Sequence, residues 1–151
     1  MQRIEVVNRQ RKIKIIQNEW NDFVFRVVQS IAESKNKSVA VAFVSDRKMR
    51  ELNRTFRGKD ATTDVLSFPY EADDFEFGAE FSDSDENYLG DIAISLEQAQ
   101  RQAFENDLNL ETEIKQLVLH GVLHLCGYDH ETDSGEMNEL ELKYRRELKI
   151  N

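Results

Sequence analysis

The sequence contains one cysteine, no long apolar run, and histidine only between residues 120 and 130. A single thiol, Cys126, excludes an internal disulfide, so the chain suits a reducing compartment. No segment is apolar enough to span a bilayer, and the first residues lack the apolar stretch of a signal peptide. We therefore expect a cytoplasmic protein with no membrane partner. At 151 residues the chain is long enough to bury a core without disulfides, which predicts one domain over residues 1–151.

Basic residues are missing from a long central stretch, since no Lys or Arg lies between Lys59 and Arg101. The net charge of −9 is therefore distributed very unevenly along the sequence. Residues 1–59 carry 14 Lys or Arg against 6 Asp or Glu, whereas residues 60–151 carry 6 against 23. This asymmetry indicates a basic face suited to nucleic acid in an acidic protein. The alternative is that the two halves of the sequence do not form separate faces.

The predicted elements mix strands and helices. Short apolar or alternating segments predict strands at 4–7, 13–15, 38–44, 65–68 and 92–94. Helical periodicity and capping residues predict helices at 19–32, after Ser45, after Ser95, from Asn109 or Thr112 through the histidines, and at 134–148. Residues 71–88 are acidic and aperiodic, which is typical of an exposed loop. This order predicts an α/β or α+β domain with a small central sheet flanked by helices.

The three histidines are spaced as metal ligands. His120 and His124 are four residues apart, so they project from one face of a helix. Gly127 permits a left-handed turn, after which the chain can bring His130 toward the same point. Three imidazoles with an open fourth position are typical of catalytic zinc, although imidazole also binds nickel, copper and iron. The pattern predicts one Zn²⁺ per chain, held by His120, His124 and His130.

The same spacing occurs in metzincin peptidases, but their general base is missing. Those enzymes carry glutamate directly after the first histidine, and this chain has Gly121 there. Two alternatives stay open beside an enzyme that acts on nucleic acid. One is a zinc hydrolase of another substrate. The other is a non-enzymatic ribosome-assembly factor with structural zinc, in which Cys126 or Asp129 supplies a fourth ligand.

Three blocks of the sequence resemble the bacterial YbeY-type rRNA-maturation endoribonucleases. The likeness covers roughly residues 40–145, with the blocks in matching order. They read His120-Gly121-x-Leu123-His124-Leu125-x-Gly127-Tyr128-Asp129-His130, Leu52-Asn53-x-x-Phe56-Arg57-x-Lys59-Asp60-x-Thr62-Thr63-Asp64-Val65-Leu66-Ser67-Phe68-Pro69, and Leu89-Gly90-Asp91-Ile92-x-Ile94-Ser95.

The resemblance implies a zincin-like α/β fold and a single-strand-specific metallo-endoribonuclease. It further implies action on ribosomal RNA, including 16S rRNA 3′-end maturation and ribosome quality control. Single-stranded RNA, 16S rRNA and proteins of the ribosomal subunit are the expected partners. Hydrolysis would use a metal-activated water, which either attacks phosphorus or deprotonates the ribose 2′-hydroxyl.

Arg57 is the candidate catalytic residue beside the metal ligands. The resemblance places the family's functionally important arginine here, and a guanidinium suits a phosphodiester because it donates to two oxygens at once. Arg50, Arg54 and Lys59 lie in the same basic segment and are candidate substrate-binding residues. The alternative for this segment is a solvated helix face. For the ring nitrogens that do not bind metal, Asp64, Asp91 or Asp129 are the candidate acceptors.

Overall fold

A four-stranded mixed sheet forms the centre of the protein. The computed structural model describes residues 2–70, 87–129 and 134–150. Its strands are β1 (Ile4–Asn8), β2 (Ser38–Val44), β3 (Val65–Pro69) and β4 (Tyr88–Ser95). They lie in the order β1-β2-β4-β3. β1, β2 and β4 are parallel, whereas β3 is antiparallel to β4 and forms one edge of the sheet.

Five helices in the described part of the chain flank this sheet, which confirms the predicted α/β architecture. They are α1 (Gln17–Ser30), α2 (Asp46–Arg57), α3 (Leu96–Glu105), α4 (Leu110–Leu125) and α5 (Glu136–Glu147). Ser45, Ser95 and Asn109 each accept a hydrogen bond from the backbone N–H three residues later. These caps satisfy N–H groups that a helix leaves without partners, which is why the three helices begin where the sequence predicts.

The two faces of the sheet are covered by different helices. Alternate residues of β2 and β4, such as Phe43 and Ile92, pack in the main core with α1 and α4. The intervening residues of both strands pack against Met49 and Leu52 of α2. Because side chains alternate along a strand, α2 lies on the opposite face of the sheet from α4.

α4 is both a core helix and the carrier of the histidines. Ten of its 16 residues are buried, so its position is fixed by packing along most of its length. Truncating a single buried Leu to Ala in such a helix typically costs about 2–5 kcal/mol. Side chains at its less buried positions, such as His120 and His124, therefore project from a rigid support.

The strand predicted at 13–15 is wrong. Gln10 is buried, and its side chain donates to the carbonyl of Ile13 (2.7 Å) and accepts from the N–H of Ile13 (3.0 Å). These bonds occupy the backbone groups that a strand partner would need, so the segment forms a bend leading into α1. The apolar alternation of Ile13 and Ile15 instead reflects partial packing against the core.

Residues 71–86 of the acidic segment and His130 lie outside the described residues. Tyr88, the last residue of the predicted loop, begins β4. In the described ranges no helix has both the length and the apolar composition needed to cross a bilayer.

Candidate active site

The two histidines of α4 face a common pocket. Their ring centroids are 4.5 Å apart, with the ring planes at 70°. Both rings line a pocket of about 220 Å³ at the edge of the sheet, together with Arg57 and residues of β3. His120 and His124 therefore project from one face of α4, as their spacing in the sequence predicts. Among the described residues no group of three metal-binding side chains is complete, and the predicted third ligand, His130, is not among them.

Glu141 of α5 orients His120. Nδ1 of His120 lies 2.7 Å from Oε1 of Glu141. An ionised carboxylate only accepts hydrogen bonds, so Nδ1 carries the hydrogen and the lone pair remains on Nε2. This is how metal-binding imidazoles are usually held. The donors present, neutral imidazoles with one ring oriented by a carboxylate, fit a divalent transition metal.

The sequence analysis missed Glu141, although a signal was present. Met137 is fully buried in α5, and Glu141 follows it by one helical turn. A carboxylate on the inward face of an amphipathic helix needs a partner, because burying a charge is costly. Asp64, one of the candidates proposed instead, has other contacts. Asp64 accepts from the N–H of Val65 and from the side chain of Gln102.

Arg57 reaches the pocket from the opposite face of the sheet. It is the last residue of α2, and its Nη2 donates a long hydrogen bond of 3.5 Å to the carbonyl of Ser67 in β3. The side chain thereby passes the edge strand and lines the pocket that His120 and His124 also line. The structure thus brings Arg57 together with two histidines that lie more than 60 positions further along the sequence.

The outer edge of β3 is partly occupied. Its pairing with β4 leaves the backbone groups of Val65, Ser67 and Pro69 on the outer side. Asp64 Oδ1 accepts from the N–H of Val65 (2.7 Å), Arg57 donates to the carbonyl of Ser67, and Pro69 has no N–H. A partly occupied edge with a proline is less suited to receive an extended peptide as an added strand.

Gly121 is the position at which a peptidase of this spacing carries its base, and it faces the sheet. A Cβ on Gly121 would lie 3.0 Å from Cδ1 and Cγ2 of Ile92. Its carbonyl accepts a hydrogen bond from Oγ of Ser67 (3.3 Å). Since Ile92 is fully buried, there is no space for a glutamate side chain, and this position supplies no proton acceptor to the pocket.

Cys126 directly follows the last residue of α4. Burial, together with repulsion from nearby Glu33, raises the pKa of its thiol to about 11, although a hydrogen bond with Ser34 opposes the rise. The thiol is therefore protonated at neutral pH, and it does not line the histidine pocket. Its absence from the pocket lining counts against Cys126 as the fourth ligand of a structural zinc site.

The three candidate substrate-binding residues lie outside the pocket lining. Nε and Nη2 of Arg50 donate to the two carboxylate oxygens of Asp60 at 2.8 and 3.0 Å. Nη1 of Arg54 lies 3.6 Å from the same carboxylate. Hydrogen bonding from Arg50 lowers the pKa of Asp60, so this carboxylate stays ionised. Lys59 is exposed beside them.

An α/β fold in which two imidazoles and an arginine share a pocket at a sheet edge is suited to a hydrolase that acts on an anionic ester. Comparison with known proteins gives the family. The sequence profile of the family "Endoribonuclease YbeY" matches residues 5–149. The chain belongs to the endoribonuclease YbeY family, and the predicted class of enzyme, a hydrolytic endonuclease, is confirmed.

Individual relatives agree with this assignment. A protein named "Endoribonuclease YbeY" from Thermodesulfovibrio yellowstonii is 35% identical, over 97% of this chain and 97% of its own length. One of the same name from Clostridioides difficile is 37% identical, over 95% of this chain and 94% of its own. A solution structure from Thermotoga maritima superposes with a TM-score of 0.62 at 31% identity, covering 96% of this chain and 88% of the other.

Proposed function

We propose that this chain is a zinc-dependent endoribonuclease that cleaves single-stranded regions of ribosomal RNA. Maturation of the 16S rRNA 3′ end and ribosome quality control are the proposed roles, with ribosomal proteins as further partners. The observation that carries the proposal is the pocket shared by His120, His124 and Arg57. The expected cytoplasmic location stays a prediction.

His120, His124 and His130 would hold the metal. When bound, zinc would supply a water of lowered pKa, which at neutral pH serves either as the nucleophile or as the base toward the ribose 2′-hydroxyl. Glu141 keeps the Nδ1 hydrogen of His120 in place, so that ring presents its Nε2 lone pair without first having to reorient. Packing of α4 against the sheet holds the two rings at their 4.5 Å separation.

Arg57 would bind the phosphodiester. Its bond to Ser67 uses one of five guanidinium donors, which leaves others to contact two phosphate oxygens. Charge builds up on those oxygens as phosphorus becomes five-coordinate, and a cation already in place stabilises that charge without reorganisation. Arg57 therefore orients the scissile phosphate and stabilises the transition state.

RNA is favoured over a peptide by two features of the pocket. Gly121 packs against Ile92 and provides no general base, and the outer edge of β3 is partly occupied by Asp64 and Arg57 and lacks an N–H at Pro69. A peptide would need both a base and a free edge for extended binding. A phosphodiester needs no free strand edge, because its anionic oxygens are bound by a cation, and the water of lowered pKa, as hydroxide, would serve as its proton acceptor.

The test is cleavage of a labelled single-stranded RNA by protein of measured metal content. Chelated protein, zinc-restored protein and His124→Ala are assayed beside it, with Gln116→Ala as a matched control two turns earlier on α4. We expect cleavage to be lost on chelation and in His124→Ala, to return with zinc, and to persist in Gln116→Ala. Stoichiometric zinc with no RNA cleavage would instead support the assembly-factor alternative, and cleavage of a peptide panel would support another hydrolase.

A further inference from the structure

Two arginines of α2 converge on one carboxylate at the surface. Arg50 binds both oxygens of Asp60, at 2.8 and 3.0 Å, and Nη1 of Arg54 lies 3.6 Å from Oδ1. A carboxylate held by a guanidinium fork presents two oxygens much as a phosphate does. Arg50 and Arg54 thus form an anion-binding site, and a carboxylate of the same chain, that of Asp60, occupies it.

The turn after α2 places Asp60 over the helix. Gly58 adopts a left-handed conformation (φ 70°), and its N–H donates to the carbonyl of Arg54. The buried side chain of Asn53 then donates to the carbonyl of Ala61 at 2.8 Å. These bonds fold the chain back, so that Asp60 lies above the exposed side of α2. The fold therefore holds this carboxylate at the arginines through bonds made by neighbouring residues.

The site is open to solvent and lies beside the pocket. The side chains of Arg50, Arg54 and Asp60 are each between 56% and 59% exposed. Arg50, Arg54 and Arg57 are spaced at i, i+4 and i+7, so they lie on one stripe of α2. Arg50 and Arg57 are about 10 Å apart along the helix axis. A strand whose phosphate contacts Arg57 can therefore place a neighbouring phosphate at Arg50 and Arg54.

We propose that Arg50 and Arg54 form a second phosphate subsite for the RNA strand, and that Asp60 is a resident anion which the RNA phosphate displaces. The inference rests on the proposed RNA substrate. An exposed ion pair contributes little free energy, so replacing Asp60 at the two arginines by an RNA phosphate costs little. Asp60 thereby weakens RNA binding and keeps both arginines ordered when no RNA is bound.

The test is the affinity of metal-free protein for a short labelled single-stranded RNA, measured by fluorescence anisotropy over a range of salt concentrations. Asp60→Asn should bind about three- to tenfold more tightly at low salt and show a steeper salt dependence, because two cations become available to phosphate. Glu51→Gln is the matched control. It lies on α2, is 55% exposed, pairs with Lys48 and removes the same charge.

A second variant separates the subsite from a general charge effect. Arg50→Gln/Arg54→Gln should bind RNA more weakly, and adding Asp60→Asn to it should restore nothing. Equal RNA affinities of Asp60→Asn and Glu51→Gln would overturn the proposed subsite. So would an increase in RNA affinity when Asp60→Asn is added to the Arg50→Gln/Arg54→Gln protein. Because binding is read without cleavage, a protein that binds RNA in this way but never cuts it would contradict the proposed function and leave the subsite standing.

Discussion

Glu141 and His120 form a hydrogen bond of 2.7 Å between α5 and α4. The two residues lie 21 positions apart, and His120 lies between the carboxylate and the pocket. Only 13% of the Glu141 side chain is exposed. This bond links the terminal helix to the candidate metal site, although that helix does not itself line the pocket.

Removing the Glu141 carboxylate should weaken metal binding. We expect Glu141→Ala to lower zinc affinity by about 10–100-fold, because the tautomer and the orientation of His120 are no longer fixed. Glu141→Gln, which can still accept at Oε1, should fall between that variant and the wild type. Competition titration with a chromogenic chelator measures the affinity. Glu139→Gln, which lies exposed on the same helix, is the control. If Glu141→Ala bound zinc as tightly as Glu139→Gln does, Glu141 would have no role in orienting His120.

Arg57 should affect the rate more than the folding of the protein. Arg57→Lys keeps the charge but loses the planar fork, so we expect kcat to fall by about 10²–10³ with an unchanged melting midpoint. Arg47→Lys is the matched control, since Arg47 is exposed near the other end of α2. Single-turnover cleavage of a defined RNA measures the effect. Equal rates for Arg57→Ala and the wild type would remove Arg57 from the mechanism.

Gly121 should tolerate no side chain. In Gly121→Ala the new Cβ would lie 3.0 Å from Cδ1 and Cγ2 of the fully buried Ile92. Overpacking should outweigh the better helix propensity of alanine and destabilise the protein by about 1–2 kcal/mol. Urea unfolding measures this. Adding Ile92→Val, which deletes Cδ1, should recover part of the lost stability. A Gly121→Ala protein as stable as the wild type would show instead that the sheet can shift to accommodate the methyl group.

Glu113 should make stability depend on pH. Burial raises the pKa of this carboxyl above its ordinary 4.5, repulsion from Asp64 adds to the effect, and Arg145 opposes it. The native state therefore binds this proton more tightly than the unfolded state, so stability falls as pH rises from about 4.5 through the folded pKa and stays lower above it.

Glu113→Gln removes that loss. We expect its melting midpoint at pH 7.5 to exceed that of the wild type by about 2 °C, and the difference to shrink or reverse near pH 4. Glu111→Gln, exposed two residues earlier on α4, should show no such pH-dependent gain. A midpoint for Glu113→Gln below that of the wild type at pH 7.5 would mean that the attraction of Arg145 outweighs the cost of burial.

The fold was predictable where local chemistry decides it. Ser45, Ser95 and Asn109 begin helices as their side chains predict, because capping involves residues only three positions apart. The strand expected around Ile13 failed for a related reason, since a single side chain, Gln10, takes the backbone groups that the strand would have used.

The site was predictable only in part. The placement of His120 and His124 follows from helical spacing. The approach of Arg57 depends on the antiparallel edge position of β3, and the contact of Glu141 depends on how α5 packs. Neither leaves a local pattern in the sequence. Arg50 could be named as a basic residue, but its pairing with Asp60 requires the left-handed turn at Gly58.

The position of the pocket at the margin of the sheet bears on where a polymer can be cut. In open α/β sheets ligands usually bind in the crevice at the carboxyl ends of the strands. Here the histidines and Arg57 instead meet along the outer side of β3. A long chain can lie across such a margin with both ends continuing past the protein, so no free terminus has to be threaded in. Scission at internal positions is what this geometry favours.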